Sequence, residues 1–139
     1  MSLFHVFDIA GSALSAQAIR MNVTASNMAN ADSTSSSVGT TYRARQPVFA
    51  AIMDELAFDP AERLGGVRFE GIVESQAPLR REYQPDNPQA DQEGYVYFQN
   101  VNAIEEMANM ISASRSYQTN LEVINTSKQM LLRTLSLGR

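Results

Sequence analysis

The chain has no cysteine, no tryptophan and one histidine, His5. Without cysteine there is no disulfide, no thiolate zinc site and no thiol nucleophile. One histidine in the first turn of a helical segment leaves no Ser/His pair and no histidine metal cluster. Glycine is sparse, and Gly65-Gly66 lacks the Lys-Ser/Thr of a phosphate loop. No stretch approaches the ~20 consecutive apolar residues that cross a bilayer. The N-terminus lacks the basic start and continuous apolar core of a cleaved secretory signal. Nor is there an excess of base. The formal charge is −4, which argues against nucleic acid and against anionic lipid as partners. The expectation is a protein without catalytic, cofactor or metal site.

What the chain does have is two helix-period segments, one at each end. Phe4, Phe7, Gly11, Leu14, Ala18, Met21, Ala25 and Met28 fall at alternating steps of three and four, as do Met110, Ser114, Tyr117, Leu121, Ile124, Lys128, Leu131 and Leu135. Such alternation keeps one stripe of side chains on one helical face. Neither segment has anything to bury its stripe against unless the two pack on each other, on other copies, or on both. The first helix is expected from near Ser2 or Leu3 to about Ala29. Gly11 within it either meets another backbone closely or sits on a free surface. The second is expected from Asn102, with Glu105 three residues on in a capping-box arrangement, to about Leu137, stopped by Gly138.

Charge divides the chain the same way. Residues 1–31 hold only Asp8 and Arg20, residues 32–99 hold eleven acids against six bases, and residues 100–139 hold three acids against four bases. A solvated helix normally carries a charged face. The first helix carries Ala, Ser, Asn, Gln and Thr instead, which allows close approach on more than one side and points to burial in an assembly. Asn22, Asn27, Asn30, Asn120 and Asn125 interleave with the stripes, where a buried Asn fixes register.

The middle reads as polar linker and loose β structure. Asn30 to Thr41 is rich in Ser and Thr, which compete with helix for backbone groups, and is expected to order on assembly. Val48 to Met53 is a strand or a single helical turn. Gly65-Gly66 marks a turn, Val67 to Glu74 alternates as a strand with a kink at Gly71, and Tyr95 to Phe98 is β-prone. Arg80-Arg81 is read as a solvated pair or as contacts for an acidic neighbour.

These residues also carry a resemblance. Phe7 to Gln17, followed by Arg20 to Ala31, is similar to the N-terminal signature of bacterial flagellar rod and hook proteins, and Tyr42-Arg43-Ala44 to the motif that follows it. Gly94-Tyr95-Val96, Asn100-Val101-Asn102, Glu106 to Gln118 and the tail Asn120 to Gly138 resemble the C-terminal half of proximal-rod members, whose middle is as short as this one. Gln99 departs, standing where the family often has proline.

The resemblance implies a mainly α fold with a small β-rich insert. Residues 1–31 and 100–139 would form long helices packed as a coiled coil in the inner layer of a helical tube, with 32–99 on the outer side. It implies a structural subunit of the basal-body rod, polymerising into the proximal part of the periplasmic drive shaft and enclosing the export channel. The implied partners are copies of itself, other proximal-rod proteins, the rod–ring junction protein, the distal rod protein and the flagellar type III export apparatus, with no nucleic acid and no direct lipid contact. The expected assembly interface comprises Phe4, Phe7, Gly11, Leu14, Ala18, Met21, Asn22, Ala25, Asn27 and Met28, with Met107, Met110, Ile111, Tyr117, Leu121, Ile124, Asn125, Leu131 and Leu135. A soluble helical adaptor or export-associated chaperone is the alternative. It would account for amphipathic ends and acidic charge, but not for an almost uncharged first helix.

Overall fold

The computed structural model describes residues 3–53 and 64–137. Along the chain these form α1 (Leu3–Ala29), β1 (Thr34–Ser35), β2 (Arg45–Met53), β3 (Leu64–Glu74), β4 (Arg80–Tyr83), β5 (Tyr95–Phe98) and α2 (Ala103–Leu137). The fold is two helices with a small antiparallel β insert, as the sequence pattern predicts.

α1 begins and ends within a residue of the expected limits. α2 starts after Asn102, whose Oδ1 accepts the Ile104 N–H at 3.1 Å. Glu105 and Glu106 fill its first turn, where the helix dipole favours anions. At ~1.5 Å per residue, the 27 residues of α1 reach about 40 Å and the 35 residues of α2 about 52 Å. Arg20 in the second half of α1 donates to Asn109 near the start of α2 at 3.4 Å. The two helices pack along each other, so that contact makes them antiparallel. The stop expected at Gly138 lies outside the described residues.

β2 and β3 form a two-stranded hairpin in which Arg45 faces Glu74 and Val48 faces Gly71. The pairing then skips Glu70, so the irregularity expected at Gly71 is a bulge beside it. Pro47 has no N–H to give to a ladder, and a two-stranded hairpin, all edge, tolerates it. Gly65-Gly66, expected as a turn, lies inside β3. Gly66 has φ +131°, and a Cβ there would sit 2.5 Å from Ser12 Oγ. The glycine pair therefore lets β3 approach α1, where Ser12 Oγ accepts the Val67 N–H at 3.1 Å.

The other sheet runs β1-β5-β4, all antiparallel. Its central strand carries Val96, which is fully buried. Arg80 lies over the Phe98 ring at 4.9 Å and Arg81 over Tyr95 at 4.4 Å, with Arg80 also 3.3 Å from Glu82. The arginine pair is thus engaged by its own sheet and its neighbouring carboxylate. The Ser/Thr-rich linker is likewise ordered within the single chain. Thr41 Oγ1 donates to Ser37 O at 2.7 Å, Ser33 Oγ to Asn30 O at 2.8 Å, and Thr34 and Ser35 pair with β5. Its hydroxyls supply the turn bonds.

Two asparagines fasten this insert to the helices. Asn27, buried on α1, accepts the Arg45 N–H at 2.9 Å and donates to Arg45 O at 2.8 Å, an exchange like that of a strand pair. The Tyr42 hydroxyl donates to the same Oδ1 at 2.9 Å. Asn100, just before α2, accepts the Ala44 N–H at 2.8 Å and donates to Ala77 O at 2.9 Å. Asn27 was expected to set register between helices, but its amide reaches the backbone of β2 instead. Gln99 Oε1, beside this clamp, is buried without a partner.

Asn27→Ala would leave the Arg45 N–H and C=O without their partner, while the Tyr42 hydroxyl keeps Ser26 Oγ at 3.2 Å. We expect urea unfolding to show a loss of about 2–4 kcal/mol, against less than about 0.5 kcal/mol for exposed Asn22→Ala. Equal midpoints for the two variants would refute the clamp.

Candidate assembly surface

The buried core is small. Among the described residues the buried apolar side chains are Ala10, Ala16, Val23, Val96 and Ala113. The face α1 turns inward runs through Ala10, Ala13, Ala16, Val23 and Asn27. It lies one residue off the expected stripe. Of that stripe, Gly11 and Ala25 are exposed, and Phe7, Leu14, Ala18, Met21 and Met28 are half-buried. Asn22 is exposed, and the side chain of Phe4 lies outside the described residues. Among the described residues nothing approaches within 4 Å of where a Gly11 Cβ would stand, and none of them explains this glycine by a close contact.

On α2 the inward face is Glu106, Met110, Ala113, Tyr117, Asn120, Ile124, Ser127 and Leu131. Met110, Tyr117, Ile124 and Leu131 were expected at these positions. Between them the structure selects Ala113, Asn120 and Ser127 rather than Ser114, Leu121 and Lys128. Both choices satisfy a three-four rhythm. The small residues win because they let α1 approach between the large ones, and Ala113 is fully buried.

The remaining expected residues of α2, Met107, Ile111, Leu121, Asn125 and Leu135, all face out. Met107 is 50% exposed, Ile111 56% and Leu135 69%, and they are joined by Ile104, Val123, Met130, Leu132 and Leu137. Alternating large and small side chains every seven residues was the missed signal for the inner face. It separates the face used within the chain from the face left apolar and bare.

The exposed area is correspondingly large. The chain exposes 9715 Å², whereas a folded monomer of its mass exposes about 7,100 Å².

One concave feature lies at the start of α2. A cleft of about 420 Å³ opens between α1, the first turns of α2 and the β2–β3 hairpin, lined by Gln17, Arg20, Thr24, Arg45, Phe49, Val67, Glu105, Glu106 and Asn109, among others. Arg20 is held by Asn109, and Arg45 by Glu74 at 3.3 Å and the Tyr42 ring. Among the described residues no His, Cys, Asp and Glu side chains cluster to hold a metal ion, and no helix is long and apolar enough to cross a membrane.

Ala113→Leu should overpack the helix pair and cost about 1–3 kcal/mol in chemical unfolding. Leu121→Ala, on the bare face, should cost under about 1 kcal/mol. The reverse order would mean the two faces have been exchanged.

Comparison with known proteins follows the same division into two ends. The model of a family described as flagella basal body rod protein matches residues 7–35. One described as flagellar basal body rod FlgEFG protein C-terminal matches residues 92–137. A flagellar basal-body rod protein FlgC from Yersinia enterocolitica is 55% identical over 139 residues, covering all of both chains. Its counterpart from Salmonella typhimurium is 52% identical over the same full span. That from Buchnera aphidicola subsp. Acyrthosiphon pisum is 44% identical over 99% of each chain. With both ends and the short middle matched without a gap in coverage, the chain belongs to the FlgC family of flagellar basal-body rod proteins.

Proposed function

We propose that this chain is a structural subunit of the flagellar basal-body rod, polymerising into the proximal part of the shaft. Family membership makes it a structural rod component and not an enzyme. The observation that carries the finer reading is the bare apolar face of α2, which the chain's own fold leaves uncovered while α1 covers the opposite face.

In this reading residues 1–31 and 100–139 supply the inner layer, with α1 and α2 of neighbouring subunits packed as coiled coils. Residues 32–99 stand on the outer side, fixed to the helices by Asn27 and Asn100. The periplasm is the site of assembly, and the chain arrives through the flagellar type III export apparatus without a cleaved signal. The neighbours are copies of the chain, other proximal-rod proteins, the rod–ring junction protein and the distal rod protein. The assembled tube carries motor torque and encloses the export channel. A tube requires interfaces that do not close on themselves, meaning different patches meeting head to tail. Bare surface around α1 and α2 supports that. Gly11, with open space around it, fits a close neighbouring backbone at that point.

Leu14→Glu and Leu121→Glu each place a charge on the proposed interface. We expect either variant to abolish swimming in soft agar and incorporation into isolated basal bodies, with circular dichroism of the purified chain unchanged. Normal motility of both strains would refute the interface. In light scattering, the wild-type chain should form large particles when mixed with the other proximal-rod proteins. A discrete oligomer indifferent to them would favour the adaptor alternative.

A further inference from the structure

The cleft at the start of α2 contains a buried amide oxygen with no donor and a carboxylate with no cation beside it. Glu106 is only 9% exposed, yet among the described residues no cation lies within ion-pair reach of its carboxylate. Gln17 Oε1, in the same wall, is buried and accepts nothing. The cations that line the cleft are already engaged, Arg20 by Asn109 and Arg45 by Glu74. A buried amide oxygen without a donor is a costly arrangement, and a carboxylate on a largely buried residue favours a neighbouring cation. A cation supplied from outside serves both.

The opposite end of the helix pair offers one. With Arg20 level with Asn109, equal rise brings Leu3 level with about residue 126, so the last turns of α2 run past the first described residue of α1. There Met130, Leu132, Leu135 and Leu137 are between 49% and 86% exposed. After Glu122 the sequence has no acid, and Lys128 and Arg133 are both exposed. The start of α2 is the complement, with Glu105 and Glu106 beside bare Ile104, Met107 and Ile111.

Taking the chain as a rod subunit, we propose that the last turns of α2 of one copy seat on the start of α2 of a second copy, with Arg133 entering the cleft to meet Glu106 and Gln17. The guanidinium supplies up to five donors to two acceptors. Lys128 lies within reach of exposed Glu105, and the apolar residues at the two ends cover one another. Because the seat and the tail lie at opposite ends of one subunit, each copy offers a free seat to the next. The contact is head to tail and can pass from each copy to the next.

The lack of native cysteine gives a direct test. Ile104→Cys marks the seat and Leu135→Cys the tail. The two lie about 46 Å apart on one straight helix, so a short bismaleimide cannot join them within a copy. Mixed single-cysteine chains should give seat–tail dimers, and the doubly substituted chain a ladder. Arg133→Glu, at an exposed site, should cut the seat–tail yield about tenfold. Glu106→Arg on the partner should restore it, and Glu106→Gln, which keeps the shape, should also weaken it. Absence of seat–tail products, seat–seat or tail–tail products alone, indifference to Arg133→Glu, or cross-linking only to a different rod protein would each overturn the contact. The rod-subunit reading is scored separately by basal-body incorporation. If the wild-type chain enters the rod but the single-cysteine chains give no seat–tail product, only this contact is refuted, and wild-type chain that never enters the rod refutes the reading beneath.

Discussion

Two asparagine amides join the helices to the start of the insert. Residues 44 and 45 are where the linker becomes β2, and their backbone groups are taken by Asn100 from one side and Asn27 from the other. One amide belongs to the end of α1 and the other to the lead into α2. A single short stretch of backbone thus ties the two ends of the chain to the insert between them. Buried backbone groups must find partners, and here those partners are supplied from elements 18 and 56 residues away. The orientation of the hairpin and the position of the helix pair are therefore one constraint.

The helices were legible because their period is long and regular. α1 ends at Ala29 and α2 starts after Asn102, where capping residues and composition say they should. The choice of face was harder. Steps of three and four from Met110 lead equally to Ala113 or Ser114, and the pattern alone favours the larger apolar residues further on. The fold takes the small ones, since packing rewards approach and not hydrophobicity alone. Asn27 looked like a register device because it sits among helix-period residues. Its actual partner is a backbone that no periodicity announces. Gly65-Gly66 misled in the same way. The signal for unusual backbone was correct, but the need was space beside Ser12 and not a reversal of the chain.

The division of labour in α2 follows from this choice of face. Its inward face sets Ala113 and Ser127 between large Met110, Tyr117, Ile124 and Leu131, while a second set of large side chains, Met107, Ile111, Leu132 and Leu135, is left bare. Apolar side chains of that size gain from leaving water, and they are the ones we propose for contacts with neighbouring subunits.

The clamp that joins helix to insert also has a chemical character. Its four central bonds run between side-chain amides and peptide groups, none of which ionises in the physiological range. A joint made of ion pairs would soften in concentrated salt and loosen as carboxylates took up protons. This one has neither weakness, so the stiffness of the subunit at that point is expected to be the same in brine as in dilute buffer, and in acid surroundings as in neutral ones.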